Sequence, residues 1–103
     1  MMHKVLFSES ADNDLAEIAA YLLPLAGMRL TDRYLQRLID YCKSLGLFPT
    51  RGTPVDLRPG LRLLGYRRQA TIAFSVSDGC VTIVRIFHHG QNVSFDASGW
   101  LES

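Results

Sequence analysis

Apolar positions in the first half of the chain recur at the spacing of a helix. A short apolar run over residues 3–8 predicts a strand, and the polar cluster after it contains residues that commonly start helices. Pro24 has no backbone N–H and opposes continuation of a helix, so the pattern predicts a first helix over residues 10–23. Its apolar face is formed by Ala11, Leu15, Ile18, Ala19 and Leu22.

A second helical stripe follows a short break at residues 24–27. Its width predicts contact with both the first helix and a sheet, and Gly46 predicts its end. Two helices joined by so short a turn predict an antiparallel hairpin. The stripe consists of Leu30, Tyr34, Leu38, Tyr41 and Leu45.

The second half of the chain has the pattern of strands. Residues 61–66, 70–76 and 81–87 predict three strands, and Asp78-Gly79 predicts a tight hairpin between the last two. The order β-α-α-β-β-β predicts an α+β fold, with the helical hairpin packed on one face of a small, mainly antiparallel sheet. The first strand can lie beside the last, because the helix pair can carry the chain across the sheet. We expect one domain over residues 1–103, with a polar tail from about residue 90.

Length, composition and charge narrow the function classes. The 103 residues include 48% apolar side chains, 11 basic against 10 acidic residues and two cysteines, with a formal net charge of +1. A single domain with so little net charge is not expected to bind nucleic acid tightly. The cysteines lack the spacing of a disulfide scaffold or a zinc site, so we expect no metal, no cofactor and a cytoplasmic location. Neither a signal peptide nor a membrane span is predicted.

Positive charge is concentrated after the second helix. Residues 51–68 contain five arginines and one acidic residue, whereas the first fifty residues sum to −1. Arginine favours planar, multidentate contacts with carboxylate or phosphate groups. We expect Arg85, near the end of the last strand, to join Arg62 and either Arg67 or Arg68 on one side of the sheet. A solvated strand face is the alternative.

Two adjacent histidines, His88 and His89, follow Arg85 closely. Imidazole transfers protons near neutral pH and guanidinium stabilises a phosphate transition state, so together they could cleave RNA. Adjacent strand residues point to opposite faces, which favours the alternative that one histidine bonds the backbone and the other is solvated. His3 is the only other histidine, and we expect no metal site. The chain has no motif for nucleophilic hydrolysis, phosphate-loop binding or zinc proteolysis.

Four segments in a fixed order connect these elements to a known superfamily. They are VLFSESADNDLAEIAAYL, FPTRG, LRPGLRLLGYRR and VTIVRIFHHGQN. Together they resemble the toxins of the RelE/ParE superfamily, most closely the ParE branch, over about residues 4–92. The resemblance implies a compact toxin of a type II toxin–antitoxin module, held inactive by an antitoxin whose C-terminal segment wraps it. ParE-type members are associated with inhibition of DNA gyrase, whereas RelE-type members cut messenger RNA in the ribosome.

The two branches need different residues. A ribosome-dependent nuclease needs basic groups and a proton acceptor in one place, yet both lysines lie outside the segment where RelE-like enzymes place basic catalytic residues. A gyrase inhibitor needs only a complementary surface, so we expect a binding protein and assign no catalytic residue. A third alternative is a degenerate member that only binds its antitoxin. The candidates for a nuclease are Arg62, Arg85, His88 and His89.

The expected partners are a cognate ParD-like antitoxin and DNA gyrase. For Trp100, covering a sheet edge or the core is an alternative to target contact. A flexible antitoxin segment buries apolar anchors in a groove, for which the candidates are Leu23, Leu25 and Met28. Ordinary packing within the helical hairpin is the alternative for these three. Candidate target-binding residues are Arg58, Arg62, Arg67, Arg68, Arg85 and Trp100, together with the two histidines.

Overall fold

The chain forms one five-stranded sheet covered by a long helical segment. The computed structural model describes residues 2–88, so His89, Trp100 and the tail predicted from about residue 90 lie outside the described residues. The elements are β1 Lys4–Phe7, helical segment α1 Glu9–Lys43, a 3-10 turn Ser44–Gly46, β2 Thr53–Pro54, β3 Leu61–Tyr66, β4 Ala70–Ser77 and β5 Cys80–His88.

The sheet order places the first strand beside the last. Its order is β1, β5, β4, β3, β2, in which β1 is parallel to β5 and every other pair is antiparallel. The predicted α+β fold with a mainly antiparallel sheet is therefore confirmed. The two-residue edge strand β2 was not among the predicted strands, because residues 48–54 are rich in the proline and glycine that favour turns.

The helical segment α1 is divided at Gly27. Ser8 caps its start, because the Ser8 Oγ accepts a hydrogen bond from the N–H of Ala11 at 3.0 Å. The helix continues through Pro24 and is interrupted at Gly27, whose φ of 82° and ψ of 169° are not helical. The predicted end at residue 23 is therefore wrong. Pro24 is tolerated because the carbonyl that it leaves unpaired belongs to Ala20, an exposed residue. The break occurs at Gly27 because its positive φ is a conformation that favours glycine.

The two parts of α1, called arm 1 (residues 9–26) and arm 2 (residues 28–43), pack on the same face of the sheet. Ile18 of arm 1 and Leu38 of arm 2 are fully buried in one cluster with Phe74 of β4. Burial of such a side chain stabilises a fold by about 1.5–3 kcal/mol. The predicted packing of two helices on one sheet face is confirmed. A smaller cluster occupies the other face and consists of Leu61, Ala73 and Val84.

A β-bulge in β5 changes which side chains face the arms. Ala73 pairs with Arg85 and the next residue, Phe74, pairs with Ile83, so Val84 is an extra residue in β5. Ile83 and Ile86 both belong to the core cluster beneath the arms although they are three residues apart. Simple alternation along the strand does not predict this arrangement.

Arm 1 closes the edge of β5 beyond the end of β1. The last pair between these strands joins Phe7 to Ile83. Beyond it, Asp14 of arm 1 is 7% exposed and accepts a hydrogen bond at its Oδ2 from the N–H of Ile86 at 2.8 Å. The guanidinium of Arg85 donates to the same carboxylate, from Nε to Oδ2 at 2.8 Å and from Nη2 to Oδ1 at 3.1 Å. No pattern in the sequence signals this pair, because an acidic residue such as Asp14 is also common near the start of a helix.

Candidate binding site at one end of the sheet

Five rings form a continuous row where both arms meet one end of the sheet. Successive ring centroids are 5.6, 5.8, 6.1 and 4.9 Å apart. Cross-strand pairing of Tyr66 with Ala70, and of Ala70 with His88, places Tyr66 and His88 at the same level of the sheet, on either side of β4. Aromatic pairs at these separations attract one another, so the row holds both arms to the sheet. From arm 1 towards arm 2, the aromatic row consists of Tyr21, His88, Tyr34, Tyr66 and Tyr41.

The turn between β3 and β4 presents two arginines beside this row. Arg67 and Arg68 have φ of 49° and 58°, and the N–H of Gln69 donates to the carbonyl of Tyr66 at 2.8 Å. This is the geometry of a two-residue hairpin turn that favours Asn-Gly, and a left-handed conformation costs a larger residue about 1 kcal/mol or more. The predicted hairpin at Asp78-Gly79 has the same positive φ at both residues and is confirmed. The turn at Arg67-Arg68 therefore carries strain that Asp78-Gly79 largely avoids.

One opening beside the turn, here called the elbow groove, lies between the two arms near Gly27 and has a volume of about 460 Å³. Thr31 is 2% exposed, and neither its Oγ1 nor the Oη of Tyr34 has a hydrogen-bond partner among residues 2–88. Burial raises the pKa of the Tyr34 phenol. Buried hydroxyls without a hydrogen-bond partner are uncommon in folded proteins. The groove is lined by Leu22, Ala26, Leu30, Thr31, Tyr34, Arg68, Gln69 and His88.

Exposed apolar side chains flank Gly27, next in sequence to residues that line the elbow groove. Leu25 and Met28, on either side of Gly27, are 72% and 70% exposed, and Leu23 and Leu30 are also exposed. The candidate antitoxin-binding residues therefore do not pack within the hairpin, which was their alternative. Adjacent exposed apolar groups of this kind mark surfaces that bind partners.

A second opening, here called the arginine cleft, lies on the other side of the turn and has a volume of about 820 Å³. The guanidinium carbon of Arg51 lies 4.8 Å from the ring centroid of Phe48 and 5.9 Å from that of Tyr41. That of Arg67 lies 5.5 Å from the ring centroid of Tyr66. Both arginines are thus held against aromatic rings. The cleft is lined by Arg37, Asp40, Tyr41, Ser44, Arg51, Tyr66 and Arg67.

The family model that describes the ParE toxin of the type II toxin–antitoxin system parDE matches residues 5–93. The chain belongs to the ParE toxin family. The search of curated proteins finds no match.

Solved structures share the fold of this ParE-family chain. A structure of the chromosomal ParDE toxin–antitoxin system from P. aeruginosa is 24% identical, with a TM-score of 0.74, and the match covers 84% of this chain and 96% of that chain. A RelBE toxin–antitoxin complex from Mycobacterium tuberculosis is 21% identical, with a TM-score of 0.64 and coverage of 88% and 95%. A conserved hypothetical protein from Helicobacter pylori is 14% identical, with a TM-score of 0.53 and coverage of 87% and 98%.

Arg62 and Arg85 of this ParE-family chain do not come together. Leu61 and Leu63, on either side of Arg62 in β3, pack in the cluster away from the arms. Because side chains alternate along a strand, the Arg62 side chain leaves the strand on the face covered by the arms. Arg85 lies over Phe87, which packs with that same distal cluster, and the Arg85 guanidinium reaches the sheet edge at Asp14. The expectation that Arg85 joins the other arginines on one side of the sheet is therefore wrong. The bulge at Val84 and the carboxylate of Asp14 explain the difference.

The guanidinium of Arg62 holds a turn in place. It donates hydrogen bonds to the carbonyls of Thr50 at 2.6 Å, Arg51 at 2.9 Å and Gly52 at 3.2 Å. Gly52 has a φ of 80°, and a Cβ there would lie 2.2 Å from the carbonyl oxygen of Leu63. The turn thus passes very close to β3, and Arg62 satisfies three of its carbonyl groups. This geometry gives Arg62 a structural role.

The remaining candidates are divided between the two ends of the sheet. His88 is buried in the aromatic row between Tyr21 and Tyr34. Arg58 lies in the loop before β3, and six strand residues separate it from the Arg67-Arg68 turn, a length of about 20 Å. The predicted target-binding arginines therefore do not form a single surface. Arg37 and Arg51 were not among the predicted site residues. The available signal was indirect, because Tyr34 and Tyr41 on the helical stripe indicated that aromatic rings face the sheet near these arginines.

The part of the chain that the structure describes offers no metal site, no reactive Cys42 thiol and no membrane-spanning helix. Residues 2–88 contain no group of three or more His, Cys, Asp or Glu residues placed to hold a metal ion. Burial raises the pKa of the Cys42 thiol to about 12, so this cysteine is not a nucleophile at neutral pH. No helix within residues 2–88 is long and apolar enough to cross a bilayer.

Proposed function

We propose that this chain is a toxin that inhibits DNA gyrase by binding it and that a cognate ParD-like antitoxin neutralises it in the cytoplasm. The observation that carries the proposal is the dispersal of the candidate nuclease residues. RNA cleavage needs a phosphate-binding cation and a proton acceptor at one place. Arg62, Arg85 and His88 instead hold a turn, pair with Asp14 and pack in the aromatic row. These positions favour binding over RNA cleavage.

The Arg67-Arg68 turn is the proposed centre of the target-binding surface. It lies between the elbow groove and the arginine cleft, and each opening includes one of its arginines. Strained backbone conformations are held by the surrounding structure and cluster at functional sites. Arginine contributes strongly at protein interfaces because its planar group makes several directed contacts. Contacts from Arg58 and Trp100 stay predictions, since Arg58 is remote from this turn and Trp100 lies outside the described residues.

The exposed apolar residues at the elbow are the proposed antitoxin anchor. An amphipathic antitoxin segment would place its apolar side chains against Leu23, Leu25 and Met28. Acidic residues of the same segment would meet Arg68 at the rim of the groove. The solved ParDE and RelBE relatives are toxin–antitoxin systems with the same fold, which supports a partner of this kind.

Parallel assays of the purified chain test the choice of target. We expect inhibition of gyrase supercoiling with intact cell-free translation. The double variant Arg67→Gln, Arg68→Gln should weaken the inhibition at least tenfold, because it removes both guanidinium groups. The matched control, Arg29→Gln with Arg33→Gln, changes two exposed arginines of α1 and should retain it. Inhibited translation with unaffected supercoiling would establish the RelE-like alternative instead.

The antitoxin surface has its own test. The candidate antitoxin is the product of a small neighbouring reading frame with a ribbon-helix-helix start and a charged, amphipathic C-terminal half. Leu25→Asp and Met28→Asp should each weaken its binding at least tenfold, because a charge opposes burial of the site. The control Leu57→Asp places the same charge at an exposed apolar residue far from the elbow. Equal binding by all three variants would contradict the proposed anchor.

A further inference from the structure

The arginine cleft has an excess of positive charge that nothing in the described chain neutralises. Arg37, Arg51 and Arg67 face one carboxylate, Asp40, so the sum of these formal charges is +2. The ion pair found within residues 2–88 joins Arg85 to Asp14. The three arginines of the cleft therefore have no carboxylate oxygen within 4 Å among these residues. The Oδ1 of Asp40 accepts a hydrogen bond from the Nε2 of Gln36 at 2.9 Å. Three like charges in one cleft repel one another, and a bound anion would relieve the repulsion.

Two of the three guanidinium groups are held in place before any ligand binds. Arg51 lies between the rings of Phe48 and Tyr41, and its Nη1 donates to the Oγ of Ser44 at 3.4 Å. Arg67 lies over Tyr66, and its backbone is fixed by the tight turn. Long side chains lose conformational entropy when they bind a ligand. Restraint by the rings reduces that loss.

The rings beneath the arginines are themselves fixed. The centroids of Tyr41 and Tyr66 are 4.9 Å apart, and the Oη of Tyr41 donates to the carbonyl of Gly65 at 3.3 Å. Tyr66 is buried, so its ring supports Arg67 and offers no free face to a ligand. The cleft therefore presents cationic groups on a rigid aromatic base.

The arrangement favours phosphate over carboxylate. A carboxylate has two oxygens in one plane, which a single guanidinium satisfies. A phosphate monoester has three terminal oxygens in different directions, which suits guanidinium groups that come from α1, from the loop before β2 and from the β3–β4 turn. Its dianion also matches the charge of the cleft.

We infer that the arginine cleft binds a phosphate monoester, of the kind carried by nucleotides and by the 5′ ends of nucleic acids. This inference does not depend on the gyrase proposal, because it concerns a ligand of the toxin itself. It also does not require a strongly basic protein, because one local cleft supplies the charge.

Isothermal titration calorimetry on the full-length chain tests this inference with separate probes. We expect inorganic phosphate and adenosine 5′-monophosphate to bind, and adenosine and acetate not to bind at the same concentrations. A 5′-phosphorylated oligonucleotide should bind more tightly than the same oligonucleotide without its phosphate. Tighter binding of the mononucleotide than of inorganic phosphate would support the inference and assign the ligand to nucleotides.

Matched variants locate the binding in the cleft. Arg37→Gln should weaken phosphate binding about tenfold, because it removes a charge-assisted hydrogen bond. Arg33→Gln alters an exposed arginine of the same arm outside the cleft and should bind like the wild type. Asp40→Asn should strengthen phosphate binding several-fold, because it removes the one negative charge of the cleft. Circular dichroism of each variant checks that the fold is retained.

Three outcomes would overturn the inference. They are the absence of phosphate binding, acetate binding as tight as phosphate binding, and the same affinity in Arg37→Gln as in Arg33→Gln. None of these outcomes bears on gyrase inhibition, which is measured separately.

Discussion

Arg85 and Arg37 carry the same guanidinium group in two different settings. Arg85 makes a two-point contact with Asp14, and this hydrogen bond raises the pKa of the arginine. Arg37 faces a cleft in which two more arginines outnumber the one carboxylate. Neither arginine lies in the arginine-rich segment 51–68, so the acceptors around each guanidinium decide whether it serves the fold or is left for a ligand.

The same division separates Arg62 from Arg51, although the Arg62 side chain donates to the Arg51 carbonyl. Arg62 donates to three backbone carbonyls, whereas Arg51 lies on two aromatic rings and lines the arginine cleft. We therefore expect substitutions of Arg62 or Arg85 to lower stability, and substitutions of Arg37, Arg51 or Arg67 to lower binding.

The largest expected effect follows from removal of Asp14. Asp14→Ala leaves both the Arg85 guanidinium and the N–H of Ile86 without their acceptor. Loss of one partner of a mostly buried pair costs about 3 kcal/mol of unfolding free energy. Urea denaturation monitored by circular dichroism measures the change.

Asp12→Ala is the control for Asp14→Ala. Asp12 is exposed in the first turn of the same helix, and its interaction with the helix dipole contributes about 0.3–1 kcal/mol. Equal destabilisation by both substitutions would show that Asp14 acts only through the helix dipole and that Arg85 is not fixed by it.

Arg62→Ala should have the next largest effect. It removes charge-assisted hydrogen bonds to the turn at residues 50–52 and should lower the unfolding free energy by about 2 kcal/mol. Arg37→Ala changes an exposed helix position and should alter stability by about 0.5 kcal/mol or less. A larger loss for Arg37→Ala than for Arg62→Ala, measured by urea denaturation, would reverse the division.

The sequence predicted the fold more completely than the site. Strand and helix patterns have a fixed period, so the two arms, the three main strands and the Asp78-Gly79 turn were readable. The pair of Asp14 and Arg85 was not, because it joins residues 71 positions apart across a bulge that no local pattern encodes. The arginine cleft was missed for a similar reason, since Arg37 and Arg67 meet only after the arm packs on the sheet.

A substitution that increases stability should separate strain from function at the turn. Asn-Gly in place of Arg67-Arg68 suits the positive φ at both positions, and we expect about 1 kcal/mol of added stability. The same change should weaken phosphate binding and gyrase inhibition, because both guanidinium groups are lost. Thermal denaturation and the two binding assays measure these opposite effects.

Asp78→Asn is the control for the Arg67-Arg68 replacement. It converts the other tight turn from Asp-Gly to Asn-Gly, and we expect little change in stability or binding. If the Asn-Gly replacement of Arg67-Arg68 retained full gyrase inhibition, that turn would not be the target-binding surface.

The smallest expected effect concerns Tyr34, whose ring belongs to the aromatic row and whose hydroxyl is buried. Burial raises the pKa of this phenol above its usual value of 10.0, so the folded state holds the proton more tightly than the unfolded chain. The associated stability is complete below pH 10 and falls as the pH rises further, because the unfolded chain ionises first. Cys42 acts in the same direction, since its thiol pKa is raised to about 12.

Tyr34→Phe keeps the ring and removes the phenol hydroxyl, so it should reduce the loss of stability above pH 10. At neutral pH the change should leave stability within about 0.5 kcal/mol, because the Oη has no partner among residues 2–88. Urea denaturation at pH 7 and pH 11 measures both effects, with Cys42→Ser as a companion variant that separates the thiol's share. A loss of more than about 1 kcal/mol at pH 7 would show that the hydroxyl has a hydrogen-bond partner in the folded protein.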